Sequence, residues 1–190
     1  MKAKAGSIAA LVTAVTYVVS SIIIIWATII DDGVDGGDGE DAMFISWCVL
    51  MFVGTIAAAF VAYTLLKNSG GLSAPLGKVA LVLAVLAAIG SFFTWAWFAW
   101  GVVLSIAFAL VVMVTRKTGS LDWAIPAAFP LGALGTIGLW ATDIVEENPD
   151  GLDWAYTGGF VFAALVTAAA MTRISADLRP AIEAEEVAEA

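Results

Sequence analysis

The longest apolar stretch of the chain reads VALVLAVLAAIGSFFTWAWFAWGVVLSIAFALVVMVT and extends from Val79 to Thr115. It contains 37 residues and no charged side chain. A membrane-spanning helix needs only about 20 residues to cross about 30 Å of hydrocarbon, because each residue advances the helix by about 1.5 Å. A single straight helix would be almost twice too long. We therefore predict that the chain reverses near 94–97 and forms two helices, at about 78–93 and 98–115.

Four further apolar segments have the length of a single membrane-spanning helix and lie at about 7–30, 43–66, 124–142 and 155–172. The whole chain is 62% hydrophobic and 13% charged, with a mean hydropathy of +0.98, far from the composition of a soluble domain. The predicted fold class is an all-α integral membrane protein. We expect a bundle of six transmembrane helices in one domain over residues 1–172, followed by an acidic cytoplasmic tail at 173–190.

The distribution of basic residues tests the number of spans, because Lys and Arg collect on the cytoplasmic side of short loops. Six spans with a cytoplasmic amino terminus place all eight basic residues inside: Lys2, Lys4, Lys67, Lys78, Arg116, Lys117, Arg173 and Arg179. Reading 79–115 as one span would move Arg116, Lys117 and the tail outside. The pattern therefore predicts a multi-pass protein of the cell membrane with both termini in the cytoplasm.

Several function classes conflict with the composition. The chain has no histidine, which excludes haem, zinc or copper sites built on imidazole and proton relays that use it. Its single cysteine, Cys48, excludes an intrachain disulfide, and a net charge of −9 argues against a nucleic-acid partner. We expect a protein that is not an enzyme and that carries no cofactor.

One candidate cavity is predicted from prolines and hydroxyl groups. The span at 124–142 contains two prolines, and interrupted helices in transporters leave carbonyl oxygens free to coordinate a solute. The first span carries a polar stripe that would line the same cavity. The candidate pore or cavity residues are Thr13, Thr16, Tyr17, Ser20, Pro126 and Pro130. The alternatives are a simple packing kink and hydroxyl groups that bond within their own helix.

The tryptophans are distributed unevenly across the predicted membrane. Seven of the eight lie toward the outer side, whereas an ordinary aromatic belt populates both interfaces. The candidates for contact with a partner subunit or a lipid are Trp95, Trp97 and Trp100. The alternatives are anchoring of a short hairpin and a vestibule that attracts organic cations.

The first outer loop includes the sequence Gly36-Gly37-Asp38-Gly39-Glu40-Asp41, which fits one copy of the G-G-x-G-x-D calcium repeat. The repeat binds calcium through tandem copies, and a single copy lacks a complete ligand set. Weak metal candidates are Asp35, Asp38, Glu40 and Asp41. We expect a flexible anionic loop and no specific metal site.

Two function classes remain open. Small residues spaced four apart, such as Ala80, Ala84 and Ala88, allow helices to approach closely, either within one chain or at an interface with another subunit. With the outer tryptophans they favour a non-catalytic accessory or interaction subunit of a membrane assembly. The alternative is a passive channel or permease for a small neutral or cationic solute, formed by one chain or by a homo-oligomer. The expected partners are membrane lipid and other membrane protein subunits or further copies of the chain.

Overall fold

A computed structural model of the protein describes residues 2–31, 38–92, 97–115, 123–140, 151–180 and 182. This part of the chain is helical and contains six α-helices. They are α1 (Lys2–Asp31), α2 (Asp38–Asn68), α3 (Pro75–Gly90), α4 (Trp97–Thr115), α5 (Ala124–Trp140) and α6 (Gly151–Asp177). A short 3₁₀ helix, Gly71–Ser73, joins α2 to α3.

The long apolar stretch is divided between α3 and α4, as its length requires. The helix α3 closes at its carboxyl end through two backbone hydrogen bonds, in which the amide of Ser91 donates to Ala87 O (2.9 Å) and the amide of Phe92 to Ile89 O (3.2 Å). The chain then returns as α4, and Trp100 of α4 packs against Gly90 of α3. The two helices form an antiparallel hairpin.

Within the described residues, three helical segments are long and apolar enough to cross a membrane: Ala3–Ile29, Ile45–Asn68 and Trp154–Asp177. Shorter apolar segments lie at Pro75–Gly90, Ala99–Thr115 and Ala124–Gly138. The three long segments, together with the apolar composition, indicate a membrane protein.

Four helices, α1, α2, α3 and α6, begin three to five residues earlier than the apolar pattern predicts. The helix α2 starts at Asp38 and α6 at Gly151, so acidic residues that we expected in flexible loops lie in first helical turns. Carboxylates in a first turn are stabilised by the positive end of the helix dipole, which explains the extension. At the other end, α6 continues to Asp177, into the predicted tail, and Arg173 Nε pairs with Asp177 Oδ1 at 3.2 Å.

The six helices form a closed ring in chain order. Each packs against the next, and α6 returns to pack against α1. Two hydroxyl pairs join α6 to α1 near opposite ends: Ser7 Oγ lies 2.8 Å from Ser175 Oγ, and Thr28 Oγ1 lies 2.8 Å from Thr157 Oγ1. The start of α1 and the end of α6 therefore lie at the same end of the bundle.

Buried aromatic side chains pack inside this ring. The rings of Tyr17 on α1 and Phe129 on α5 meet edge to face, with centroids 6.1 Å apart. Trp47 on α2 and Phe160 on α6 meet in the same way at 5.5 Å. All four side chains are buried. Each pair thus joins two helices that flank a common neighbour, α6 for the first pair and α1 for the second.

The small-residue ridges face the interior of the bundle. On α3, Ala80 and Ala84 have no exposed surface and Ala88 is 6% exposed. A close approach joins α5 to α6, where a methyl group built on Gly132 would overlap the carbonyl oxygen of Gly159. Thr136 Oγ1 donates to Ala155 O of α6 at 3.1 Å beside this crossing. This arrangement supports the interpretation that the ridges pack helices within one chain.

The outer surface of the bundle is apolar. Large side chains that are more than half exposed follow one face of α1, namely Ile8, Val15, Ile22, Trp26 and Ile29. Buried hydroxyl groups instead bond carbonyl oxygens of their own helices, as Thr64 does with Phe60 O at 2.9 Å. Apolar residues outside and hydroxyl groups bonded to backbone carbonyls inside suit a hydrocarbon environment, although Ser20 Oγ and Thr167 Oγ1 are buried without a partner among the described residues.

Candidate functional site

A small cavity lies near the bundle axis, where five helices or helix ends meet. Its volume is about 10 Å³, which matches the space that one water molecule needs. We call it the central cavity, and its lining residues are Tyr17, Thr55, Ser91, Trp100, Gly101, Leu104 and Phe129. The lining therefore combines an apolar wall with a few polar groups.

Two of the hydroxyl groups that line the central cavity form hydrogen bonds with carbonyl oxygens of their own helices. Thr55 Oγ1 donates to Met51 O at 2.8 Å and lies 3.4 Å from Tyr17 Oη. Because the threonine proton is used for the Met51 carbonyl, the tyrosine hydroxyl is the donor of the longer bond. Ser91 Oγ donates to Ala88 O at 2.7 Å.

Trp100 contributes to the lining a polar atom, its indole nitrogen Nε1, that has no hydrogen-bond acceptor among the described residues. This nitrogen is buried. A buried N–H without an acceptor is costly, and indole nitrogen can only donate. A water molecule in the central cavity would accept this bond and donate to a neighbouring oxygen. The cavity can hold a water-sized polar molecule and nothing larger in this conformation.

Of the predicted polar stripe on α1, Tyr17 alone lines the central cavity. Thr13 Oγ1 donates to Ala9 O at 3.0 Å and lies 3.3 Å from Gly54 O. Thr16 Oγ1 bonds Val12 O and Thr13 O, both at 2.9 Å, and packs against Gly54. Ser20 is fully buried elsewhere on the helix. Most residues of the stripe therefore contribute to packing between helices and do not line the cavity.

The two predicted prolines lie in a helix that runs without a break, not in an interrupted one. Pro126 is in the first turn of α5, where its missing N–H would have no helical partner. Pro130 is internal and cannot donate to the Pro126 carbonyl, so that carbonyl lacks its helical bond. Neither proline lines the central cavity, although Phe129, beside Pro130, does.

The predicted aromatic contact residues are placed only in part. Trp95 lies outside the described residues, and Trp97 is the first residue of α4, with a side chain that is also outside them. Trp100 is half-buried, covers Gly90 and lines the central cavity. Trp100 therefore packs inside the bundle, and part of its side chain is exposed on the surface of the bundle.

The weak metal candidates are not brought together by what the structure describes. Asp35 lies outside the described residues, and Asp38, Glu40 and Asp41 occupy the start of α2 with side chains that are outside them. The described ranges contain no cluster of three or more His, Cys, Asp or Glu side chains that could hold a metal ion.

Sequence reasoning missed Thr55, Ser91, Leu104 and Phe129 as cavity residues. Each stands among apolar neighbours and belongs to no motif. Their common position follows from the closure of the ring, which brings α1, α2, α4 and α5 to one point. A glycine inside an apolar helix indicates a close contact with a neighbour. Gly101 is such a residue, and it packs against the Phe129 ring, where a larger side chain would overlap the ring.

The fold and the cavity place the protein in the class of helical membrane proteins with a packed interior. Beyond that class, no protein-family model, curated protein or solved structure gives a significant match to this chain.

Proposed function

We propose that the protein is a non-catalytic accessory or interaction subunit of a membrane assembly. In this proposal all six helices span the cell membrane and both termini lie in the cytoplasm. The chain would act through its outer surface and its short outer turns. Its interior would serve as a rigid scaffold for them.

The observation that carries this proposal is the dense packing of the bundle interior. The Tyr17–Phe129 pair joins α1 to α5 and the Trp47–Phe160 pair joins α2 to α6 inside the ring, and the space left beside the first pair has a volume of only about 10 Å³. A conducting pathway needs a continuous polar channel, as in known channels and transporters. The packed interior therefore favours a function at the surface over passage through the centre.

The proposed orientation is supported by where the charges fall on the bundle. The basic residues whose side chains the structure describes are Lys4, Lys67, Lys78, Arg173 and Arg179. Gly6 packs against Thr64, and Ser7 bonds Ser175, so the start of α1, the end of α2 and the end of α6 share one end of the bundle. Lys67 and Lys78 flank the short connection from α2 to α3 at that end. A basic end is typical of the cytoplasmic side.

We expect cysteine labelling to place the loops on alternating sides of the membrane. Single cysteines at Gly37, Ser69, Gly119 and Pro149, in a Cys48→Ala background, are treated with a membrane-impermeant maleimide in intact cells. The positions at 37 and 149 should label from outside, and those at 69 and 119 only after permeabilisation. Ser69 is exposed and close in size to cysteine, whereas its neighbour Gly70 has a φ of 73° that disfavours any side chain.

Labelling of residue 119 from outside would contradict the six-span topology, because it would require 79–115 to cross the membrane once. Labelling of residue 69 from outside would reverse the orientation. The first result would change the number of spans, and the second would change the orientation of the chain in the membrane.

A passive permease for a small neutral or cationic solute is the second candidate. The central cavity favours it, since Tyr17, Thr55 and Trp100, which carry polar groups, all line this cavity inside the bundle. The Pro126 carbonyl, which has no helical donor, adds a polar group to α5. Transport would require the aromatic pairs to separate, which is a larger rearrangement than surface binding requires.

Purification from the source membrane in mild detergent tests the accessory function. We expect mass spectrometry to find a second protein in stoichiometric amount, and Trp95→Ala combined with Trp97→Ala to release it. The matched control is Trp123→Ala, because Trp123 is 44% exposed and precedes α5 at the other end of the bundle. Recovery of this chain alone, under conditions that preserve other membrane complexes, would contradict the proposal.

A further inference from the structure

An open groove runs between α1 and α2 on the outer surface of the bundle. Its volume is about 450 Å³, and apolar side chains from both helices line it. The floor is made of alanine and the sides of bulky residues. We call it the α1–α2 slot and define it by Ala5, Ala9 and Ala57 on the floor and Ile8, Ile56 and Phe60 on the sides.

The shape of the slot suits a flexible hydrocarbon chain better than another helix. Ile8, Ile56 and Phe60 are 55%, 46% and 43% exposed and stand beside the alanine floor. Helices approach one another closely in membranes where small residues form the contact surface. Here the small residues lie at the bottom and the bulky ones at the edges, so a helix about 10 Å wide would rest on the edges without reaching the floor.

One end of the slot is basic. Lys67 lies two helical turns beyond Phe60 on the same face of α2, and Lys4 lies one turn before Ile8 on α1. Gly6 packs against Thr64, so the two lysines occupy the same level of the bundle. Both side chains are exposed.

An aromatic pair connects the apolar slot to the lysine. The rings of Phe60 and Tyr63 lie 6.0 Å apart. Lys67 Nζ donates to Tyr63 Oη at 3.0 Å and lies 5.3 Å from the centre of the tyrosine ring. The ammonium group is thus held close to the end of the slot.

We propose that the α1–α2 slot binds one acyl chain of an anionic phospholipid, whose phosphate group is held by Lys67 and Lys4. An apolar floor that ends at two ammonium groups is complementary to a lipid with a hydrocarbon tail and a negative headgroup. The inference requires only that α1 and α2 span the membrane. It stands whether the protein is an accessory subunit or a permease.

Native mass spectrometry of the full chain tests the inference. The protein is reconstituted in vesicles with equal amounts of phosphatidylglycerol and phosphatidylcholine, extracted gently, and its retained lipid is identified. We expect phosphatidylglycerol to be retained in preference. Because one lysine near a membrane surface contributes about 1 kcal/mol, Lys67→Gln should reduce that preference about fivefold.

Two further variants distinguish the loss of a specific lipid site from a general effect of a changed charge or of poor folding. Lys78→Gln removes the same charge from the start of α3, which does not line the slot, and should leave the preference unchanged. Ala9→Phe places a ring on the floor and should reduce retention of both lipids. Equal retention of the two lipids by the unchanged protein, or an unaltered preference in Lys67→Gln, would overturn the inference. A dimer that Ala9→Phe dissociates would also overturn it, by identifying a second copy as the occupant.

Discussion

Replacing Gly159 with alanine is expected to lower the free energy of unfolding by about 1–3 kcal/mol, the usual cost of overpacking a tight interior. The added Cβ would lie 2.6 Å from the Gly132 carbonyl oxygen and would overlap Thr136 Oγ1. Neither group can yield easily, because one is helix backbone and the other is hydrogen-bonded to Ala155 O. The α5–α6 crossing must therefore widen.

The neighbouring glycine provides the matched control. Gly158 has open space where its Cβ would lie, so Gly158→Ala should leave stability unchanged or raise it by up to about 1 kcal/mol through helix propensity. Unfolding of both variants by SDS in mixed micelles, followed by circular dichroism, measures the difference. Equal stabilities for the two variants would contradict the close crossing of α5 and α6.

Truncating Phe129 to alanine is expected to cost about 3–5 kcal/mol, because the change leaves a cavity in a packed interior. Phe129 is 1% exposed, contacts the Tyr17 ring inside the bundle and lines the central cavity. The matched control is Phe162→Ala, since Phe162 is 46% exposed on the outer face of α6. We expect that control to cost less than about 1 kcal/mol.

A double-mutant cycle makes the Phe129 prediction specific. A methyl group on Gly101 would overlap the Phe129 ring, so Gly101→Ala should destabilise the unchanged protein. In the Phe129→Ala background the ring is absent, and the same change should cost little. The interaction energy should therefore be of the order of 1 kcal/mol or more. Strict additivity of the two changes would show that Gly101 and Phe129 do not meet.

The helices were predictable because length and apolarity alone determine them. The 37 residues of 79–115 are too many for one span, and the structure divides them between α3 and α4. The early start of α2 at Asp38 was not predicted, because acidic and glycine residues look like a loop until their favourable position at a helix start is considered. Hydropathy patterns respond to burial and not to this local electrostatic effect.

The central cavity could not be predicted beyond Tyr17. Thr13 and Thr16 share a face of α1 with Tyr17, yet their hydroxyl groups bond backbone carbonyls of α1 and α2. Which face of each helix turns inward depends on the rotation of the helix, and outside the hydroxyl stripe of α1 the helices are apolar on nearly all sides. Thr55 and Trp100 are brought to the cavity by tertiary packing, which leaves no local pattern in the sequence.

Permeability of liposomes that contain the purified protein tests most directly the central claim that the bundle is a closed scaffold. Stopped-flow measurements follow the entry of water, a small neutral solute such as glycerol, and a small organic cation. The packed interior predicts rates equal to those of protein-free liposomes. Faster entry of any of these, altered by Pro130→Ala or Thr16→Val, would contradict the claim and establish the permease function instead.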